Sequence, residues 1–312
     1  MIQYLKIVGN ETIEIDKPEN GSWANVLPPL KQEEFADLSQ GLDIPLDFLS
    51  DSLDIDERSR FDIQDNVKLI VIKTPTENKS LNESDAFYIT IPVSIILTHN
   101  HIVTVNSFKN DAMSNFLDTF RSRPPDRRNM MVLKIFEKVV TNFLEFLKEI
   151  NQKRNLLEQQ LYASNRNEEL LELMRIQKSL VYFVTALRSN ELLFLKLERT
   201  NFLGLTEEEK EFLNDLVVDT SQAVEMANIY TNILSSTLDA FASIISNNLN
   251  NVLKRLTSIT IILSLPALVT SIYGMNVPIP YANSPHAFYI PIVLSLVISI
   301  VISWYFMKKK WF

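Results

Sequence analysis

A row of mostly small or polar residues recurs in the C-terminal half of the chain at alternating intervals of four and three positions. This spacing keeps the residues on one face of a gently coiled helix. Hydroxyl, amide and carboxyl oxygens on such a face can accept hydrogen bonds from water or from a hydrated cation. We call this face the polar stripe, and its members are Asp239, Ser243, Ser246, Asn250, Leu253, Thr257, Thr260, Ser264, Ala267 and Ser271.

Much of the stripe lies in a segment of membrane-spanning length. Residues 256–273 and 287–307 contain no Asp, Glu, Lys or Arg, and a helix of about 20 apolar residues can cross a bilayer. We therefore predict two transmembrane helices, against the alternative of two buried core helices. Lipid cannot satisfy a row of hydroxyl groups, so the stripe should face protein or water. Small residues also favour helix–helix packing, so the stripe alone leaves packing and pore lining open.

Two features favour a pore. The stripe continues outside the apolar segment through Asn250 to Asp239, as a conduit would. Two spans cannot enclose a channel, so several copies would have to assemble around an axis. Leu253 and Leu256, which we count among the pore-lining residues, could form a hydrophobic constriction or could simply face a neighbouring helix. Pro266 removes one intrahelical hydrogen bond and is expected to kink the first span.

The flanking charges predict the orientation of both spans. Lys254 and Arg255 precede the first span, three Lys at 308–310 follow the second, and residues 274–286 between the spans contain no Lys or Arg. By the positive-inside rule, both ends are cytoplasmic and the connecting loop is external. The N-terminus lacks the long apolar region of a signal peptide. We expect a multi-pass protein of the plasma (inner) membrane with cytoplasmic N- and C-termini.

The composition argues against enzymatic chemistry and against nucleic acid as a partner. The chain has no Cys, three His and five Gly, each Gly isolated from the others. It offers no thiolate metal site, no clustered-glycine phosphate loop and no Gly-x-Ser-x-Gly elbow. The net charge is −8, and residues 1–123 hold twenty acidic against eleven basic residues. Such an acidic domain suits divalent cations and disfavours phosphate backbones. We expect neither an enzyme nor a nucleic-acid binder.

Periodicity predicts an α+β membrane protein. A sheet of six or seven strands is expected, with a helix at residues 31–40 and with strands at residues 1–8, 11–16, 23–27, 67–73, 87–97 and 102–105. Helical patterns then predict an antiparallel hairpin, from 126 to about 162 and from about 168 to 198, with its turn at 163–165. Thr206 to Glu209 match a capping box, and no Gly or Pro follows before Pro266. One helix from Glu207 to about Ile272 is therefore predicted.

These predictions divide the chain into seven parts. The stalk helix and the first span are expected to be continuous. In order, the parts are a cytoplasmic α/β domain (1–125), a cytoplasmic helical hairpin (126–205), a stalk helix (206–255), a pore-lining transmembrane helix (256–273), an external loop (274–286), a second transmembrane helix (287–307) and a basic cytoplasmic tail (308–312).

The segment between the two spans resembles a known signature. Gly274-Met275-Asn276, preceded by Tyr273, is similar to the motif of the CorA family of magnesium transporters. The context strengthens this resemblance, which covers essentially the whole chain. The other segments that resemble the family are residues 23–26, 44–51, 54–58 and 308–311.

The resemblance implies a homopentamer in a lipid bilayer, with the long helices as stalk and pore and the second spans as an outer ring. It implies inward conduction of Mg²⁺, and often of Co²⁺ or Ni²⁺, driven by concentration and membrane potential. Gly274, Met275 and Asn276 would form the selectivity motif at the outer mouth. Asn276 would receive the cation still hydrated, since Mg²⁺ gives up its water reluctantly.

The resemblance also implies regulation by intracellular Mg²⁺. Asp51 and Asp215 match the family's sensor carboxylates from adjacent subunits, which repel when empty and are bridged when Mg²⁺ binds. Asp239 matches an acidic ring at the cytoplasmic pore mouth, and Asn250 and Thr260 match pore-facing positions. High internal Mg²⁺ would thus favour the closed state.

Two departures from the family pattern bear on the metal. Ser50 stands where the family often has Glu, which removes support for a second sensor site. Residues 277–286 contain no acidic residue, so the field that concentrates cations at the mouth is weaker. A transporter of Zn²⁺, Co²⁺ or Ni²⁺ from the same superfamily is the first alternative. A membrane-anchored sensor that conducts nothing is the second.

Overall fold

A computed structural model describes residues 2–8, 11–27, 32–79, 85–106, 128–164, 167–276, 285–309 and 311. Its contacts divide the chain into two compact units, Met1–Ser236 and Thr237–Phe312. The predicted fold class is confirmed: a mixed sheet with helices is followed by a helical hairpin, a very long helix and a second apolar helix.

Among the described residues, the first unit contains a seven-stranded sheet, and the sequence predicted six or seven strands. Its strands lie in the order β2-β1-β3-β7-β6-β5-β4. Only β3 and β7 pair in parallel, and all other neighbours are antiparallel. The strands are β1 (Ile2–Val8), β2 (Glu11–Ile15), β3 (Trp23–Val26), β4 (Arg60–Gln64), β5 (Val67–Glu77), β6 (Tyr88–Leu97) and β7 (Ile102–Asn106).

Helices cover both faces of this sheet, so the central strands are buried on both sides. Leu69 and Val71 of β5 belong to the core beneath two short helices, α1 (Gln32–Leu42) and α2 (Leu46–Asp51). Ile70 and Ile72 alternate with them and are fully buried on the other face. This explains why β5 and β6 are continuous runs of β-branched residues rather than alternating patterns.

The predicted hairpin consists of α3 (Arg128–Ser164) and α4 (Asn167–Thr200). Both helices contact the central strands of the sheet. Aromatic side chains join them: the ring centroids of Phe136 and Phe194 are 4.8 Å apart, and those of Phe143 and Phe183 are 5.3 Å apart. All four rings are fully buried, and burying each stabilises the fold by about 1.5–3 kcal/mol. The turn predicted at 163–165 falls partly outside the described residues.

The next helix, α5 (Glu207–Tyr273), has 67 residues and is about 100 Å long at 1.5 Å per residue. Its predicted capping box is confirmed. The backbone N–H of Thr206 donates to Glu209 Oε2 (2.9 Å), and the backbone N–H of Glu209 donates to Thr206 Oγ1 (3.4 Å). Three Glu in the first turn also suit the positive end of the helix dipole. The helix continues through Pro266.

The C-terminal unit contains the two predicted apolar helical segments, the end of α5 and α6 (Tyr289–Lys308). Both are long and apolar enough to cross a membrane. Only 6% of the apolar window of α5 and 11% of that of α6 are buried. The alternative of two buried core helices is therefore wrong, because core helices would hide these side chains from solvent.

Two elements of the first unit were not predicted from the sequence. α2 has only six residues, too few for a helical period to be visible. β4 is largely exposed and has a polar composition, RFDIQ, so it lacks the apolar signature of a strand. It pairs with β5 across a two-residue turn, Asp65-Asn66, whose φ angles are +52° and +65°. Positive φ at both positions matches the tight hairpin turn that Asp and Asn tolerate.

The capping box leads to the first prediction. Thr206→Ala should destabilise the start of α5, because one backbone N–H loses its acceptor at a cost of about 1 kcal/mol. The midpoint of thermal unfolding of the detergent-solubilised protein should fall by roughly 2–4 °C. Ser221→Ala, at an exposed position of the same helix, is the control and should leave the midpoint in place. A Thr206→Ala midpoint equal to that of the control would show that the box adds no stability.

Candidate ion pathway

The polar stripe is not covered by its own chain. All eleven predicted pore-lining residues, from Asp239 to Ser271 and including Leu256, are exposed. A different face of α5 packs within the C-terminal unit: Ser258 is fully buried, and Ile261, Ile262 and Leu265 are partly buried. Packing inside one chain therefore does not explain the stripe, which is left to face water or another copy.

Three hydroxyl groups of the stripe donate to backbone carbonyls of their own helix. Ser243 donates to the carbonyl of Asp239 (3.0 Å), Thr260 to that of Leu256 (2.9 Å), and Ser264 to that of Ile261 (3.0 Å). Since each O–H proton is used within the helix, the oxygen lone pairs remain free to accept. A face of acceptor oxygens complements the water shell of a cation, whose hydrogens point outward.

The candidate selectivity motif follows directly on the end of α5. The backbone N–H of Gly274 donates to the carbonyls of Thr270 (2.9 Å) and Ser271 (3.2 Å) and thereby closes the last turn. Met275 is 56% exposed, and Asn276 is also exposed. The carboxamide of Asn276 is therefore accessible just beyond the helix. Residues 277–284 of the predicted external loop lie outside the described residues.

Within the described residues of one chain, neither the backbone conformation nor the available space requires a glycine at position 274. Its φ is not in the left-handed region, and an added Cβ would come no closer than 3.5 Å to the carbonyl oxygens of Thr270 and Ser271. That distance is an ordinary van der Waals contact. Any requirement for glycine here must therefore come from outside the described residues of this chain.

The two candidate sensor carboxylates lie on different elements of the first unit. Asp51 is the last residue of α2, and its Oδ2 accepts from Arg60 Nη2 at 2.6 Å. Asp215 is exposed on α5. No recorded hydrogen bond or ion pair joins them. The contact from Arg60 to Asp51 was not predicted, because nothing in the sequence shows that β4 brings position 60 to the end of α2.

Arg60 is held by three carboxylates at once. Besides Asp51, its Nε donates to Glu57 (2.6 Å) and its Nη1 to Asp62 (3.0 Å). Partial burial alone would lower the pKa of the guanidinium, but the three carboxylates outweigh it and raise the pKa. Lys73 lies near the same acidic loop, yet burial dominates there and lowers the pKa of its ammonium group. The region around Asp51 thus already contains its own cations.

The described residues of one chain can supply only part of the ligands that a regulatory Mg²⁺ would need. Among the residues that the structure describes, no group of three or more His, Cys, Asp or Glu is placed to hold a metal ion. Mg²⁺ often binds through one or two carboxylates while it keeps several waters. Asp51 and Asp215 are both accessible, so each could supply one such carboxylate.

Comparison with known proteins identifies the family. The model of the family described as "CorA-like Mg2+ transporter protein" matches residues 19–309. The chain belongs to this family. Membership places it among membrane transporters, in agreement with its two apolar C-terminal helices.

The relatives of this CorA-like chain match it over most of their length. The cobalt/magnesium transport protein CorA of Methanocaldococcus jannaschii is 27% identical over 295 residues, covering 93% of this chain and 90% of the relative. The protein of the same name from Thermotoga maritima is 24% identical over 270 residues, covering 84% and 75%. Both relatives thus align across the sheet domain and the helical half.

Solved structures agree with the fold. The complete structure of the CorA magnesium transporter from M. jannaschii superimposes with a TM-score of 0.86 at 25% identity, covering 100% of this chain and 99% of that one. The full-length CmaX protein gives a TM-score of 0.73 at 16% identity, covering 99% of this chain and 97% of that one, and so supports the fold alone.

The geometry of the motif leads to the second prediction. Gly274→Ala should leave the folding of the individual chain unchanged, because the new methyl group meets only ordinary contacts. The secondary structure by circular dichroism and the thermal unfolding midpoint should match those of the wild type. Ala267→Gly, which removes a methyl group inside α5, is the matched control and should lower the midpoint, since Gly destabilises a helix interior by up to about 1 kcal/mol. Loss of folded protein in Gly274→Ala would disprove this interpretation.

Proposed function

We propose that the chain forms a homopentameric channel for uptake of hydrated Mg²⁺ in the plasma (inner) membrane, with both termini in the cytoplasm. The polar stripes of the copies line one central pathway, and the α6 helices form an outer ring. Gly274, Met275 and Asn276 form the selectivity motif at the external mouth. Co²⁺ and Ni²⁺, which resemble Mg²⁺ in charge and size, are further candidate substrates.

One observation carries this proposal: a membrane-length helix exposes a face of hydroxyl oxygens that its own chain does not cover. Lipid is an unsuitable neighbour for such a face. Copies arranged around an axis enclose it and fill it with water, which supplies the missing hydrogen bonds. Two spans per chain are too few to do this alone.

The proposed pathway handles the cation without removing its inner water shell. Mg²⁺ holds its waters tightly, and the carboxamide of Asn276 together with the stripe oxygens can accept from those waters. An inside-negative membrane potential supplies about 2.3 kcal/mol per charge per 100 mV, and so about twice that for a divalent ion. No nucleotide-driven step is needed for uptake. The side chains of Asp239 attract the cation at the cytoplasmic end.

Closure of the pathway is assigned to two apolar positions. Leu253 and Leu256 are exposed on the same part of α5 as the stripe. A ring of such side chains can exclude water when the copies approach, and a dry constriction is impassable to a hydrated ion. Regulatory Mg²⁺ between Asp51 of one copy and Asp215 of the next favours this closed arrangement, because it replaces repulsion between carboxylates by attraction.

The third prediction tests conduction. Asn276→Ala should abolish most Mg²⁺ uptake into proteoliposomes under an inside-negative potential, because the external mouth loses its acceptors. Asn251→Ala, an exposed amide on α5 that is not part of the stripe, is the control and should retain uptake. A wild-type protein that carries no Mg²⁺ in this assay would eliminate the Mg²⁺ channel proposal, and one that carries none of Mg²⁺, Co²⁺, Ni²⁺ and Zn²⁺ would favour a sensor that conducts nothing.

The same assay determines which metal ion is transported. Residues 277–286 contain no acidic residue, which weakens electrostatic selection at the mouth and keeps a Zn²⁺ transporter as the second candidate. Competition among Mg²⁺, Co²⁺, Ni²⁺ and Zn²⁺ should show Mg²⁺ flux blocked by Co²⁺ and Ni²⁺. Zn²⁺ flux in the absence of Mg²⁺ flux would favour the second candidate.

The fourth prediction concerns regulation. Asp215→Ala should raise the Mg²⁺ concentration needed to protect the full-length protein from limited proteolysis, because one ligand of the shared site is lost. Asp219→Ala, one turn further along α5 and equally exposed, should behave like the wild type. An unchanged protection midpoint in Asp215→Ala would remove this residue from the sensor and leave the conduction proposal untouched.

A further inference from the structure

The C-terminal unit has an uncompensated cluster of positive charge where its two apolar segments meet water. Lys254 and Arg255 precede the apolar part of α5, Lys308 and Lys309 follow that of α6, and all four side chains are exposed. From residue 240 to residue 312 the sequence contains no Asp or Glu, and Asp239 is about 22 Å along the helix from Lys254. Among the residues that the structure describes, no ion pair involves any of the four cations. We call these four residues the basic collar.

The two halves of the basic collar lie at matching distances along their helices. Lys254 stands 19 residues before Tyr273, the last residue of α5, and Lys308 stands 19 residues after Tyr289, the first residue of α6. Each interval spans about 28 Å of helix, which is close to the ~30 Å thickness of the hydrocarbon core of a bilayer. With the loop-side ends of both helices at one surface of the membrane, the basic collar lies at the other surface.

The basic tail folds back onto α6 instead of continuing straight away from it. The backbone N–H of Trp311 donates to the carbonyl of Phe306 at 3.1 Å. The rings of these two residues stack, with their centroids 5.2 Å apart and their planes 3° apart. The fold-back returns the indole of Trp311 to the level of the last apolar turn of α6. The tail residues Lys310 and Phe312 lie outside the described residues.

Indole rings accompany the ammonium groups at this end of α6. The Nζ atom of Lys308 lies 5.3 Å from the ring centroid of Trp304, one turn earlier in the helix, and both Trp304 and Trp311 are exposed. Indole rings favour the boundary between acyl chains and headgroups. A Lys side chain can keep its methylene groups at that depth while its charge reaches the phosphate layer. The order of Trp and Lys along α6 therefore matches the order of layers in a bilayer.

We propose that the basic collar, together with Trp304 and Trp311, binds the phosphate group of an anionic phospholipid in the cytoplasmic leaflet. Charge complementarity selects this partner, because Lys and Arg clustered just beyond a membrane span attract anionic lipids, whereas a lipid without net charge cannot balance the collar. The folded-back Trp311 packs beside the acyl chains of the same lipid. This inference rests on the membrane orientation of the proposed function and does not depend on conduction.

Quenching of tryptophan fluorescence by brominated lipid tests this proposal. The chain has three Trp, and Trp23 is buried in the sheet of the first unit, so Trp304 and Trp311 are the reporters. The full-length protein is reconstituted in phosphatidylcholine vesicles that contain a minority of phosphatidylglycerol. Either the phosphatidylglycerol or an equal amount of the phosphatidylcholine is brominated. We expect stronger quenching by brominated phosphatidylglycerol, because the basic collar concentrates the anionic lipid beside the two indoles.

Charge variants separate the basic collar from the rest of the protein surface. Lys308→Gln combined with Lys309→Gln should remove most of the preference for phosphatidylglycerol, since each Lys near an anionic surface strengthens the attraction by about fivefold. Lys308→Arg combined with Lys309→Arg retains both charges and should retain the preference. The matched control is Lys17→Gln combined with Arg199→Gln, which removes two exposed charges from the first unit and should behave like the wild type.

A variant without the two reporters checks where the signal comes from. Trp304→Phe combined with Trp311→Phe leaves only Trp23 and should not be quenched by either brominated lipid. Quenching that persists in this variant would overturn the placement of the two indoles at the membrane interface.

Three further results would overturn the inference. They are equal quenching of the wild type by the two brominated lipids, an unchanged preference in the Gln variant, and loss of the preference in excess inorganic phosphate, which would make the basic collar a site for free phosphate. Mg²⁺ flux does not enter this readout. A preference for phosphatidylglycerol without Mg²⁺ flux supports the lipid site while refuting conduction, and flux without the preference overturns the lipid site alone.

Discussion

The bilayer cannot satisfy polar groups, and the rest of this structure depends on how α5 meets that constraint. Three of its stripe hydroxyls, those of Ser243, Thr260 and Ser264, donate to the helix backbone, so their lone pairs offer acceptor capacity on the stripe. A dry environment leaves those acceptors unused, whereas water or a hydrated cation uses them. The same helix buries Ser258 against its own chain, so the two faces have separate tasks. In the proposed function, the chain thereby separates packing from transport along a single helix.

The first unit poses a different physical problem, which is how several carboxylates can lie close together. Arg60 meets part of this problem inside each chain by holding Asp51, Glu57 and Asp62. The side chains of Arg60 and Asp51 are both partly exposed, and an exposed ion pair contributes little to folding stability. The contact can therefore break at low cost and release Asp51. In the proposed regulation, a divalent cation shared with a second copy would offer this carboxylate a stronger partner.

Sequence patterns predicted the parts of the fold that repeat over many residues. The long helix and the two apolar segments could be predicted from three patterns. These are the apolar runs, the 4,3 spacing of the stripe and the capping box at Thr206. The short α2 and the polar edge strand β4 were missed, since six residues show no helical period and RFDIQ shows no apolar alternation. The contact between Arg60 and Asp51 was also missed, because it depends on the hairpin of β4 and β5. The apolar pattern of the sequence did not predict that hairpin.

The central claim is that the stripe faces water in the assembled protein, and cysteine accessibility along α5 tests it most directly. The chain has no Cys, so single cysteines can be placed on the stripe at Thr260, Ser264 and Ala267 and beside it at Ile259, Leu263 and Leu268, all exposed in the isolated chain. The measurement is the rate at which a charged, membrane-impermeant thiol reagent modifies each position in membranes, together with the Mg²⁺ flux that remains. The account predicts fast modification and blocked flux at the three stripe positions, with slow modification and intact flux at the other three. Equal rates on both sets, or faster modification beside the stripe, would contradict it.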